Sequence, residues 1–155
     1  MSRWGDWVEQ MFFGRFEHTI DDKGRLTVPS RHRAELAGGL VVTRGLDPCL
    51  FIYPLARWQE ISDKFEHLPA VSQEDVGEFM RFLFAEAMDA LPDKQGRISI
   101  PTYLSKYAKL GDQVIVAGVR DHLEVWNPDL YAQINSRMEQ DPKSVARGLR
   151  QFGIL

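Results

Sequence analysis

Two periodicities run along the chain. Short apolar and polar alternations, broken by Gly and Pro, predict strands at Gly14 to Ile20, Leu26 to Val28, Leu40 to Thr43 and Leu50 to Tyr53, with Gly45-Leu46-Asp47-Pro48 as the turn between the last two. Then the period changes. Leu55, Trp58, Ile61, Phe65 and Leu68 recur at helical spacing and predict an amphipathic helix over residues 55 to 67, ending before Pro69. A second helix is predicted from Ser72, three positions before Asp75, with Val76, Phe79, Met80, Leu83, Phe84 and Ala87 on one face. The aromatic stripe Phe79, Phe82, Phe84 is expected in a core. Near Ala85 the pattern returns to strand and runs to Leu91.

The strand pattern occurs twice. Asp21-Asp22-Lys23-Gly24-Arg25-Leu26-Thr27-Val28-Pro29 returns as Asp93-Lys94-Gln95-Gly96-Arg97-Ile98-Ser99-Ile100-Pro101, 72 positions later. An acid, two polar residues, a Gly free to take positive φ, then an Arg opening an alternating run to Pro predicts a tight turn entering a strand. Each copy is therefore expected as one hairpin with a charged tip. After each Pro stands a hydroxyl expected to cap a short helix, Ser30 before a run to Leu36 and Thr102 before a run to Ala108. Gly39 and Gly111 follow in register, and Leu50-Phe51-Ile52-Tyr53 matches Leu123-Glu124-Val125-Trp126 with one residue inserted. A period above 70 residues is too long for a solenoid unit and suits a small domain, so the chain is a tandem duplication.

The repeat divides the chain. Residues 1–10 have no counterpart in the second copy and are expected as an extension ahead of Met11-Phe12-Phe13-Gly14, which looks like a natural beginning. Residues 11–54 are the first repeat, 55–85 the connecting helices, and 86–139 the second repeat with a C-terminal helix. Residues 140–155, with Lys143, Arg147 and Arg150, are expected as a loose basic tail.

Composition excludes little: 44% hydrophobic and 26% charged residues are ordinary for a chain of 155 that buries one or two small cores. No apolar run approaches the ~20 residues of a membrane span and no signal-peptide pattern opens the chain, so a cytoplasmic protein is expected. Cys49, the only cysteine, lies in an apolar run and is expected to pack inertly. The net charge of −3 argues against nucleic acid only until its distribution is read. Residues 15–33 hold five Lys/Arg against three acids, and 93–109 hold four against one, whereas 57–89 hold three against eight. Both repeat cores are basic, and the acidity sits between them.

Catalysis finds no support in the pattern. His18, His32, His67 and His122 lack metal-ligand spacing, and there is no phosphate loop, nucleophile elbow or zinc-binding helix motif, so neither metal, cofactor nor small-molecule substrate is expected. What repeats is Asp and Arg four residues apart. That pair has no base near pH 7, because Arg does not deprotonate and lowers the pKa of a carboxylate beside it. It suits recognition: Arg presents a planar donor fork to guanine or phosphate, Asp holds it, and a two-stranded ribbon fits the major groove. Equally, Asp21 with Arg25 and Asp93 with Arg97 could simply staple their own turns. Basic hairpins could also dock an acidic protein partner.

These residues carry a family resemblance. Met11-Phe12-Phe13-Gly14, His18-Thr19-Ile20 leading into the first D-x-x-x-R element, Asp47-Pro48-Cys49-Leu50-Phe51-Ile52-Tyr53-Pro54-Leu55, the second element and Glu124-Val125-Trp126 together resemble the MraZ family of bacterial transcriptional regulators, from Met11 to about Arg137. The resemblance implies a mostly β fold with added α: a tandem AbrB-like double swapped-hairpin β-barrel with flanking helices. It also implies a homo-oligomeric ring associated with the nucleoid. Such a ring binds double-stranded DNA at promoter direct repeats of its own cell-division and cell-wall operon. The expected DNA-binding residues are Asp21, Lys23, Arg25, Asp93, Lys94 and Arg97, with Arg15, Arg31 and Arg33 beside them. The chain departs from the family at Phe13, where Arg is frequent, and at Pro92, which removes a ladder donor.

Overall fold

The computed structural model describes residues 11–68 and 73–154. From the first copy come β1 (Phe12–Thr19), β2 (Arg25–Thr27), β3 (Leu40–Arg44) and β4 (Leu50–Pro54). From the second come β5 (Met88–Ala90), β6 (Arg97–Ser99), β7 (Gln113–Arg120) and β8 (Leu123–Trp126). Among the described strands, β3 with β4 and β7 with β8 pair inside one copy. Every other pairing crosses between copies: β1 with β7, β5 with β3, β4 with β8 and β2 with β6, all antiparallel. The order β1-β7-β8-β4-β3-β5 reads the same when the copies are exchanged. A pseudo-twofold axis therefore passes between β8 and β4, and between Leu26 and Ile98, which face each other in the separate two-stranded ribbon.

The expected simple hairpins are corrected here. The arms of the first are joined by one bridge, Ile20 to Leu26, and by the Asp21 N–H donating to the Arg25 carbonyl at 3.0 Å. Beyond that, β2 leaves β1 and zips to β6. The Val28 N–H donates to the Gly96 carbonyl and the Ile100 N–H to the Gly24 carbonyl, each at 2.8 Å. The exchange is driven by burial. Leu26, Val28, Ile98 and Ile100 together close one core against Leu40, Val42, Leu50, Ile52 and their second-copy equivalents Val114, Val116, Leu123 and Val125. Alone, either ribbon arm would present its apolar residues to half a core. This is the swapped-hairpin architecture implied by the resemblance, realised as an open antiparallel sheet whose edges are β1 and β5, not as a closed barrel.

Short helices α1 (Arg33–Leu36) and α4 (Thr102–Tyr107) cover the same core with Leu36 and Leu104. The expected hydroxyl caps do not form. A 3-10 turn, Ser30–His32, leads into α1 with Pro29 at its own cap position, α1 itself is capped by His32 and α4 by Pro101, and none of the three makes a side-chain cap bond.

The other sheet face is covered by α2 (Leu55–Glu66), α3 (Gln73–Phe84), α5 (Pro128–Gln140) and α6 (Pro142–Arg150). Near β7 and β8, Cys49, Ile115 and Trp126 pack with Leu130, Tyr131 and Ile134, and burial pushes the Cys49 thiol up, out of reach of ionisation near neutrality. Over β3 and β4, the Thr43 hydroxyl donates to the Leu83 carbonyl, the Arg44 guanidinium to that of Phe82, and Trp58 packs against Tyr53 and Phe84. The strand after α3 begins at Met88, close to the expected change of period. Pro69 and Ser72 lie outside the described residues, as do residues 1–10.

Two further expectations are corrected on this face. The stripe Phe79, Phe82, Phe84 belongs to neither core: Phe79 stacks on Phe65 and Phe82 but stays 39% exposed, and Phe82 and Phe84 are half-buried. The segment expected as a loose tail is helical over Pro142–Arg150. Asp141 accepts from the Ser144 N–H at 3.2 Å and Pro142 opens α6, a cap and a first-turn Pro that the tail's weak periodicity concealed.

One close approach fixes the long β1–β7 pairing. Gly14 (φ +98°) faces Gly118, and a Cβ on Gly118 would run into the backbone of Phe12 and Phe13. Gly118→Ala should therefore lower stability by about 1–3 kcal/mol. With ~2–4 °C per kcal/mol for a chain of this size, a thermal melt unchanged within 1–2 °C would disprove the constraint.

Candidate nucleic-acid interface

The pairing of β2 with β6 decides the geometry. Side chains alternate across a strand, so Leu26 and Ile98 point to the core while Arg25, Thr27, Arg97 and Ser99 share the outer face. Arg25 stands opposite Ser99 and Thr27 opposite Arg97, which makes the two arginines diagonal neighbours, roughly 7–8 Å apart along the ribbon. Sequence separation of 72 residues has become adjacency on one face.

Each turn is built identically. Asp21 Oδ1 accepts from the backbone N–H of Lys23 at 3.0 Å and of Arg25 at 2.8 Å, and Oδ2 accepts from Arg25 Nε at 2.7 Å. Asp93 repeats this with the N–H of Gln95 and of Arg97, both at 2.9 Å, and Arg97 Nε at 2.8 Å. Gly24 (φ +77°) and Gly96 (φ +78°) take the left-handed position that lets the chain turn there, each donating back to its aspartate carbonyl at 2.9 Å. The backbone N–H groups, then the arginine, hold both carboxyls below the usual carboxylate range, so they stay ionised at neutral pH. Stapling is thus real in both copies. It consumes Nε only. The guanidinium is fixed in plane with its Nη donors beyond the staple, and about 70% of each arginine side chain is covered.

The remaining expected cations divide. Lys23 and Lys94 are exposed at the two turns. Arg33 Nε donates to the Val28 carbonyl at 3.2 Å, and its guanidinium lies over Gly96, where a Cβ would stand 2.6 Å from that nitrogen. An arginine of the first copy thereby flanks the turn of the second; its counterpart 72 positions on is Ser105, so the two ends of the ribbon differ. Only the cross-copy pairing brings Arg33 there. Arg31 lies 3.8 Å over the ring of Phe13. Arg15 is on the other side of the sheet, 3.6 Å from Glu17 and 5.8 Å from the Tyr131 ring of α5, and is not brought to the ribbon.

Comparison with known proteins agrees with this duplicated geometry. The family model described as MraZ protein, putative antitoxin-like, matches twice, over residues 11–77 and 83–150. The chain belongs to the MraZ family. Its MraZ relatives include the Transcriptional regulator MraZ of Roseiflexus castenholzii (strain DSM 13941 / HLO8), 42% identical over 92% of this chain and 99% of that one. That of Pediococcus pentosaceus (strain ATCC 25745 / CCUG 21536 / LMG 10740 / 183-1w) is 41% identical over 93% and 100%. Among the described residues of this MraZ chain, no helix is long and apolar enough to cross a membrane, and no group of three or more His, Cys, Asp or Glu is placed to hold a metal ion.

One charged cluster was not visible in sequence. His122, at the β7–β8 turn, lies 2.7 Å from Asp121 through Nδ1 and 3.3 Å from Glu124 through Nε2, while Asp121 also accepts from Arg57 of α2 at 2.7 Å and Arg57 reaches Glu60. Burial lowers the imidazole pKa, but the two carboxylates outweigh it and the net shift is upward. A raised folded pKa contributes stability fully present below the unfolded value, about 6.5, and lost as pH rises through the folded one. His122→Gln should therefore lower the melting temperature more at pH 6 than at pH 9. Equal losses at both pH values would show that the imidazole is not held charged.

Proposed function

We propose that this protein regulates transcription by binding double-stranded DNA through the outer face of the β2–β6 ribbon. The observation that carries the reading is the convergence of both D-x-x-x-R turns on that face, with Arg25 and Arg97 as base or phosphate readers and Lys23, Lys94 and Arg33 beside them. Relatives matched along nearly their full length bear the name of transcriptional regulators, which supports the same reading. The chain acts as a homo-oligomer, a ring offering several ribbons to direct repeats in the promoter of its own cell-division and cell-wall operon. Each further ribbon then engages at high effective concentration. The role is binding, not catalysis. Arg15, turned toward α5, and Arg31, held over Phe13, leave the set of reading residues.

The test is full-length protein on the duplex upstream of its own gene against random duplex of equal length at one fixed salt concentration, followed by footprinting. Preference for the upstream fragment with protected, regularly spaced repeats is expected. Equal affinity for both duplexes would sink the reading and favour docking of an acidic protein on the same cations.

A further inference from the structure

The two ends of the β2–β6 ribbon are built alike but not flanked alike. Among the described residues, a Cβ on Gly24 would meet the Ile100 carbonyl oxygen alone, at 3.3 Å, whereas one on Gly96 would meet the Arg33 side chain, Nε at 2.6 Å and both Cδ and Cζ at 3.1 Å. Gly96 is buried and Gly24 half-buried, although the two turns share every bond of the staple. Charge follows the same division. In the first turn Asp21 and Asp22 balance Lys23 and Arg25, whereas in the second Lys94 and Arg97 exceed Asp93 by one charge and Arg33 adds another.

Arg33 is held as Arg25 and Arg97 are held. Its Nε donates to a protein oxygen, the Val28 carbonyl at 3.2 Å, as theirs donate to Asp21 and Asp93, and the Nη groups lie beyond that bond. One difference sets it apart. Arg25 and Arg97 are each paired with a carboxylate, but Arg33 makes an ion pair with none of the described residues, stays exposed, and lies over the residue next to Arg97. A guanidinium fixed through Nε with no counter-charge is a donor fork whose acceptor comes from outside the chain. We infer that Arg33 is a third reading arginine, donating to a guanine edge beside the base pair read by Arg97, and that it gives the ribbon a direction on the duplex. A truly twofold ribbon would fit a palindrome either way round. With two forks at one end and one at the other, this ribbon fits an asymmetric half-site in one orientation, and ribbons that all lie the same way suit direct repeats and not inverted ones. The inference rests on the DNA-binding reading above and adds to it a residue and a polarity.

Full-length protein on a panel of duplexes, with every base pair of the protected repeat changed in turn, tests it together with directed cutting. Asp22→Cys puts a thiol on the exposed first turn for an iron chelate, since Cys49 is buried and burial pushes its own thiol up, away from labelling. With Arg33 present, cutting is expected at the same end of every repeat, and a guanine preference at the opposite end. Arg33→Ala on this background should lose preference at one base pair of that opposite end by about 5- to 150-fold, keep the preference read by Arg25, and cut both ends about equally. Arg33→Lys should recover affinity for all duplexes but not the preference, because an ammonium has no planar fork. It keeps the charge and a stem over Gly96, so it decides the matter even where Arg33→Ala does not fold. If Arg33→Ala weakens every duplex by one common factor, Arg33 binds phosphate and the inference falls. It falls equally if the melt drops while the panel and the cutting direction stay unchanged, for then Arg33 serves the Gly96 turn alone. In both cases a wild-type preference for the upstream fragment leaves the DNA-binding reading standing, whereas a wild-type chain without that preference removes the reading itself.

Discussion

Expressed without the first copy, residues 86–154 should not fold as a monomer. Of the six strand pairings among the described residues, four join one copy to the other, and the second copy alone keeps β7 with β8. It would also uncover Ile98, Ile100, Leu104, Val114, Val116, Leu123 and Val125, all of which bury against first-copy side chains in the shared core. Exposing even four such residues costs about 6–12 kcal/mol. A domain of this kind has about 5–15 kcal/mol of stability in all. The one escape is self-pairing, because the pseudo-twofold axis can become a true one, with β6 zipping to β6 of a second fragment. Far-UV circular dichroism and light scattering across a hundredfold range of concentration therefore have a defined outcome: disordered single chains when dilute, and a folded dimer if structure appears at all. A folded, concentration-independent monomer with a cooperative melt would show that each copy is a domain in its own right, and the interlocked core would lose its meaning.

That dependence marks what could be read from residues and what could not. The duplication, the strands of both copies, the helix over Leu55–Glu66 and the return to strand before Met88 follow from period and punctuation, because each is local: alternation, a 3.6-residue stripe, Gly and Pro at fixed offsets. The partner of β2 is not local. Nothing in the residues between Asp21 and Pro29 distinguishes a closed hairpin from an arm that crosses to the other copy, since the same alternation buries Leu26 either way. Family resemblance supplied the swap. The candidate site shows the same division. Asp21 with Arg25 and Asp93 with Arg97 are visible as a spacing, and the staple they form is a short-range consequence. Their adjacency on one face, the reach of Arg33 over Gly96, and the turning of Arg15 toward Tyr131 all depend on pairings across 70 residues or more. His122 was hidden for the same reason, as Arg57 comes to its turn from a different helix.

Replacing Arg25 or Arg97 with Ala should abolish most of the discrimination between the promoter fragment and random duplex while leaving the protein folded. A guanidinium reading a base edge with two donors contributes about 1–3 kcal/mol of discrimination, which is about 5- to 150-fold in relative affinity and multiplies over each ribbon engaged. Arg→Lys should rescue little, because an ammonium can neither keep the Nε bond to the aspartate nor present a planar fork. Lys23→Ala and Lys94→Ala should behave differently, weakening all duplexes alike and reducing the salt dependence by about 0.9 of a log unit of slope for each phosphate no longer neutralised. Stability separates stapling from reading. The arginine of each turn contributes a partly exposed ion pair, about 0–1 kcal/mol, so Arg→Ala should move the melt by no more than ~2–4 °C. The aspartate also accepts two backbone N–H groups, so Asp21→Ala and Asp93→Ala should cost more stability than removal of the arginines they hold. If instead Arg25→Ala and Arg97→Ala unfold the protein while promoter preference survives in the fraction that remains folded, the arginines serve the turns alone, and recognition belongs to other cations of the ribbon face.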